Sequence, residues 1–73
     1  MAELIIYTQR GCGTCVRAIQ DLDAEGVDYE ERSLDDDPRW LEEVSKISLS
    51  VPVVLRDGKI EVGWNGDHGC FIQ

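Results

Sequence analysis

Three cysteines carry the reactive chemistry of this 73-residue chain, and their spacing divides them into a pair and a single. Cys12 and Cys15 form a C-x-x-C, while Cys70 stands alone near the C-terminal end. A disulfide across so short a loop stabilises a fold by only about 2 kcal/mol on the chain-entropy model, so the pair reads as chemistry rather than as a brace. An odd count also argues against the closed disulfide framework of small secreted domains. A thiol reacts as its thiolate, which calls for a depressed pKa and some exposure. Cys12 is expected to have both. It falls where an apolar run gives way to helical spacing, so free backbone N–H groups and the helix dipole would stabilise its anion, and Arg10 adds positive charge nearby. Gly11 and Gly13 let the backbone bend around it. Cys15 lies one turn further on, more buried and within reach. Cys12 is therefore expected to attack and Cys15 to resolve.

Two other readings compete. C-x-x-C is half of many metal sites, and Cys12, Cys15, His68 and Cys70 together would supply three sulfurs and one nitrogen for zinc, or thiolates for an iron–sulfur cluster. The second C-x-x-C or paired histidines that zinc sites usually carry are not in the sequence. Cys70 itself reads in two ways. It is a small hydrophobe anchoring a short tail through Phe71 and Ile72, or a thiol returning to attack a mixed disulfide on Cys12. His68 is expected to be an exposed tail residue.

The elements that must place these residues are legible in the pattern. Leu4 to Thr8 is a short apolar, β-branched run expected as a central strand buried on both faces. From Thr14, helical spacing puts Cys15, Ile19 and Leu22 inward with Val16 and Ala18 flanking, and Gly26 marks the stop. Asp28 to Leu34 is charged enough to be an edge strand. Asp37-Pro38 starts a second helix running to about Lys46, with Leu41 and Val44 inward. Ser50 to Leu55 resumes strand character, and Asp57-Gly58 turns it into Lys59 to Val62. Beyond Gly63 the chain is expected to loosen. The order β-α-β-α-β-β predicts one α/β domain over 1–73, with two helices and a four-stranded mixed sheet. Val51-Pro52 opens the third strand, where a proline would set a backbone carbonyl and N–H beside the cysteines for a substrate chain to pair with.

Composition narrows the partners. Hydrophobic residues at 42% and charged residues at 30% are ordinary for a globular chain rather than a disordered one. Seven basic residues against fifteen acidic give a net charge of -8 and a pI near 4.3. That balance argues against nucleic acid and anionic membranes, both of which need Lys and Arg to meet phosphate. No apolar run approaches the roughly 20 residues of a membrane span. With no basic leader or cleavage site after Met1, the expected compartment is the cytoplasm.

The run Tyr7-Thr8-Gln9-Arg10-Gly11-Cys12-Gly13-Thr14-Cys15, the Ser50-Val51-Pro52 step and Val62-Gly63-Trp64 after the Asp57-Gly58 hairpin resemble glutaredoxin, within the thioredoxin fold. The similarity covers residues 4 to 66. It implies a glutaredoxin-like fold and a cytoplasmic thiol–disulfide oxidoreductase acting as a monomer. No cofactor would be required. Glutathione or a protein disulfide would be the substrate, and a reductase the electron donor. It also implies that Pro52 is cis, with Val51 pairing to the glutathione or peptide backbone, and that substrate contacts come from Arg10, Thr14, Val51, Pro52, Gly66 and Asp67. The chain departs from the family pattern in four places. Gln9 stands where a lysine is usual, Gly13 follows the first cysteine in place of proline, Thr14 replaces an aromatic residue, and the terminal helix is missing. Gly63-Trp64 is similar to small glutaredoxin-like donors served by thioredoxin reductase.

Overall fold

The computed structural model describes residues 3–72. Strand β1 (Leu4–Thr8) is followed by helix α1 (Gly13–Glu25), strand β2 (Tyr29–Ser33) and helix α2 (Pro38–Ser45). Four further strands complete the chain: β3 (Ser50–Val51), β4 (Val53–Arg56), β5 (Lys59–Val62) and β6 (Cys70–Phe71). The main sheet runs β2-β1-β4-β5, with β2 parallel to β1 and β4 and β5 antiparallel to their neighbours. This is the mixed four-stranded sheet with two helices that the sequence predicts. Among the described residues, no helix is long and apolar enough to cross a membrane.

The alternation of β1 builds a core on each face of the sheet. Leu4 and Ile6 meet Ala18 and Leu22 of α1, together with Val54. Tyr7 meets Val44 of α2, Leu34, Val51 and Val53, and both Cys12 and Cys15 belong to this second cluster. Fully enclosed side chains such as Ile6 and Leu22 contribute about 2 kcal/mol each by leaving water. The outer strands are protected as edges should be, by Glu30, Glu31 and Arg32 on β2 and by Lys59 and Glu61 on β5.

Helix ends follow their caps. Cys12 is the N-cap of α1, its sulfur accepting the Cys15 N–H, and Gly26 closes the helix in the left-handed conformation (φ 69°) with its N–H bonded to Leu22 and Asp23 carbonyls. Asp37 caps α2 by accepting the Arg39 N–H, ahead of Pro38. Helix α2 stops at Ser45, with Lys46 as its C-cap. Val16, expected to flank the apolar stripe of α1, is exposed instead.

Two expectations need correction. The strand expected over Ser50 to Leu55 is interrupted at Pro52, which has no N–H to give a ladder. β4 then begins at Val53 and extends to Arg56, while Ser50–Val51 forms a separate strand. The segment after Gly63 is not loose. Trp64 and Asp67 exchange both backbone hydrogen bonds at 2.9 Å, and Trp64 Nε1 donates to Asp21 of α1 at 2.7 Å. The chain then returns as β6, which pairs antiparallel with β3 in the register Ser50↔Phe71 and Val51↔Cys70. Ile72 packs against the core beside Cys70, but Phe71 points to solvent at 79% exposure and is no anchor.

Candidate active site

Local sequence places Cys12 as expected. β1 ends at Thr8, Gly11 turns the chain at φ 77°, and Cys12 sits in extended conformation at the mouth of α1. The Cys15 N–H lies 3.4 Å from its sulfur, and the Val16 N–H bonds the Cys12 carbonyl at 3.1 Å. A negative charge developing on that sulfur would meet the positive end of the helix dipole. From the other side comes the Val51 carbonyl oxygen, 3.8 Å from the Cys12 sulfur. The Val51–Pro52 peptide is cis, as expected. A thiol at Cys12 could donate to that carbonyl, whereas a disulfide sulfur has no proton to give.

The sulfur is not exposed. Cys12 is 1% accessible, because the returning C-terminal strand covers it. The bond at this sulfur also differs from the expected pairing. Cys12 is disulfide-linked to Cys70, with 5.8 Å between the Cα atoms, and Cys15 is left as a free, buried thiol. The physical reason is the register of β6, which sets Cys70 opposite Val51, the residue whose carbonyl already faces Cys12. Burial pushes the Cys15 thiol above its ordinary value, a hydrogen bond from the Gln9 backbone opposes this, and the Glu31 charge adds to the rise. A cavity of about 260 Å³ borders Cys15, lined also by Thr8, Gln9, Arg10, Val16 and Glu31.

The remaining expected site residues are split. Val51 and Pro52 are buried, with Val51 packed against both cysteines, and the backbone position expected to receive a substrate is taken by the protein's own Cys70. Thr14 is buried in the first turn of α1. Arg10 is exposed, and its backbone N–H donates to Asp35 at 2.7 Å. Gly66 and Asp67 belong to the turn that fastens the tail. Asp67 accepts from the Gly69 N–H at 3.1 Å and from the Arg17 guanidinium at 2.8 Å. The Gly69 N–H, the Thr14 hydroxyl and Arg17 together hold its carboxyl below the usual range. His68 is exposed, and among the described residues no three His, Cys, Asp or Glu side chains converge as metal ligands would.

Gln9 is the contributor that sequence reasoning missed. Its side-chain amide donates to the Phe71 carbonyl at 2.8 Å, across 62 residues of sequence. No local pattern signals a contact of that separation.

Comparison with known proteins is consistent throughout. The family model described as Glutaredoxin matches residues 4–61. A curated glutaredoxin of Pseudomonas aeruginosa is 36% identical over 70 residues, covering 96% of this chain and 79% of that protein. The crystal structure of a glutaredoxin from Archaeoglobus fulgidus superposes with a TM-score of 0.75 at 33% identity, over 89% of this chain and 78% of the other. That of a thioredoxin-like protein superposes at 0.77 with 30% identity, covering 85% of this chain and 88% of its own.

Proposed function

The chain belongs to the glutaredoxin family and is a glutaredoxin-like thiol–disulfide oxidoreductase, and from that premise we propose that Cys12 is its attacking thiol, with protein or glutathione-mixed disulfides as substrates. The observation that carries this reading is the setting of the Cys12 sulfur, between the N-terminal N–H groups of α1 and the Val51 carbonyl next to Pro52. The helix end favours the thiolate form, and the thiolate is the nucleophile.

In the first step the Cys12 thiolate attacks one sulfur of R–S–S–R′. A bond forms between Cys12 and R–S, the S–S bond breaks, and R′–S⁻ leaves and takes up a proton. The Val51 backbone is the pairing site for the substrate's main chain, and the buried Pro52 and Thr14 are further proposed substrate contacts. A second thiol must then displace R–S from Cys12. The C-x-x-C spacing offers Cys15, and the bond present in the structure offers Cys70. Glutathione or a reductase finally restores the dithiol, a requirement that fits the reducing cytoplasm proposed as its compartment. In this reading no resident cofactor is needed, because the dithiol carries both electrons and passes them directly to the substrate's sulfur–sulfur bond.

Turnover of a glutathionylated peptide with glutathione as reductant tests the assignment. Cys12→Ser should abolish it, since serine cannot form the mixed disulfide. Retained turnover in Cys12→Ser would overturn the reading.

A further inference from the structure

Resting on Cys12 as the attacking thiol, we infer that Cys70 is the resolving thiol of this enzyme, delivered to Cys12 by a C-terminal strand that docks on the edge beside Pro52. The two sulfurs are bonded in the structure, and the elements around them show why the tail returns to this spot. β6 pairs with β3 so that Cys70 stands opposite Val51. Hydrogen bonds fix the strand on both sides of Cys70. Gln9 holds the Phe71 carbonyl at 2.8 Å, the Ile72 N–H reaches the Leu49 carbonyl at 2.8 Å, and Asp67 holds the Gly69 N–H at 3.1 Å.

Gly69 makes the approach possible. Its φ of +87° is one that side chains rarely adopt, and a Cβ there would lie 2.0 Å from the Val51 carbonyl oxygen. The residue before Cys70 is thus shaped for close contact with the strand that also faces Cys12. Cys15 is poorly suited to the same task. Burial pushes its pKa up, which lowers the share of reactive thiolate near neutral pH.

The step balances within the chain. The Cys70 thiolate attacks the Cys12 sulfur of the mixed disulfide, the Cys12–S–R bond breaks, and R–S⁻ leaves and is protonated. The substrate has then gained two electrons, and the protein holds them missing as the Cys12–Cys70 bond. Recharging takes two equivalents of a monothiol such as glutathione. The first attacks the half-buried Cys70 and expels the Cys12 thiolate into the N–H groups of α1. The second attacks the Cys70 mixed disulfide, releasing Cys70 and an oxidised thiol dimer. While oxidised, the protein fills its own backbone-pairing site at Val51, so substrate can enter only after reduction frees β6.

The full chain, reduced and freed of reductant, can be mixed with dithiobis(nitrobenzoate) at equimolar concentration. A first release of thionitrobenzoate reports attack, and a second reports resolution. Wild type and Cys15→Ser should give both, and Cys70→Ser should give the first with a second about tenfold slower or absent. Peptide mapping of oxidised wild type should find Cys12 joined to Cys70 and Cys15 alkylated only after denaturation. A Cys12–Cys15 bond in that map, or a second release lost in Cys15→Ser but kept at the wild-type rate in Cys70→Ser, overturns the inference. A first release that keeps its wild-type rate in Cys12→Ser overturns instead the assignment of the attacking thiol.

Discussion

Removing the Cys12–Cys70 bond should lower stability far more than a C-x-x-C disulfide could. The two residues are 58 apart, and cross-linking a loop of that length removes about 4 kcal/mol of unfolded-chain entropy, against about 2 kcal/mol for a loop as short as 12–15. A domain of this size has a total stability of only about 4–11 kcal/mol, so the bond is a large share of it. At roughly 4–8 °C per kcal/mol for small domains, the oxidised protein should melt about 20 °C above the reduced one. Far-UV circular dichroism melts, with and without dithiothreitol, measure this directly. Wild type and Cys15→Ser should both show the large reductant-dependent shift, because both can form the long-range bond. Cys70→Ser should show at most the smaller shift that a short loop worth about 2 kcal/mol could supply. A wild-type shift of less than about 5 °C, or a full shift retained in Cys70→Ser, would refute the argument.

Gly69→Ala tests the docking of β6 from the backbone side. The added methyl meets the Val51 carbonyl and φ +87° disfavours it, so oxidation should no longer join Cys12 to Cys70; peptide mapping that still finds this bond at wild-type yield contradicts the packing argument. The buried Cys15 predicts a pH effect. Its folded pKa lies above the ordinary 9.0, so the unfolded chain loses the proton first, and the stability from keeping the thiol neutral is present below that value and lost as pH rises through it. Denaturant midpoints measured on either side of that pH should fall less in Cys15→Ser than in wild type, and equal falls would show that Cys15 does not contribute.

Much of the fold could be read from short stretches because the forces that set it are local. The Leu4–Thr8 run, the Gly26 stop, the Asp37-Pro38 start and the Asp57-Gly58 turn each act within a few residues, and each appears where the pattern placed it. The division of β3 from β4 was harder to see, since apolar composition continues across Pro52 while its missing N–H breaks the ladder. The tail was misjudged for a related reason. Glycines at 63, 66 and 69 look permissive in sequence, but in the structure their positive φ angles build tight, fixed bends. Gly63, for instance, lies so close to the Asp67 carbonyl that a Cβ would approach it to 2.1 Å.

For the site, sequence alone determined that Cys12 stands at a helix mouth with Cys15 one turn behind it, because capping and the 3.6-residue period are properties of neighbouring residues. It also determined that Val51-Pro52 matters, since the strand pattern brings that step beside the cysteines. Only the tertiary structure decided which sulfur Cys12 meets. That choice depends on where the chain stands after crossing the sheet four times, on the opposing register of Val51 and Cys70, and on a Gln9 contact spanning 62 residues. It likewise decided that Cys12, expected to be partly exposed, is buried, because the strand that returns to it covers its sulfur. Residue spacing specifies a partner only when the partner is near in sequence, and Cys70 becomes a neighbour of Cys12 only once the sheet has formed.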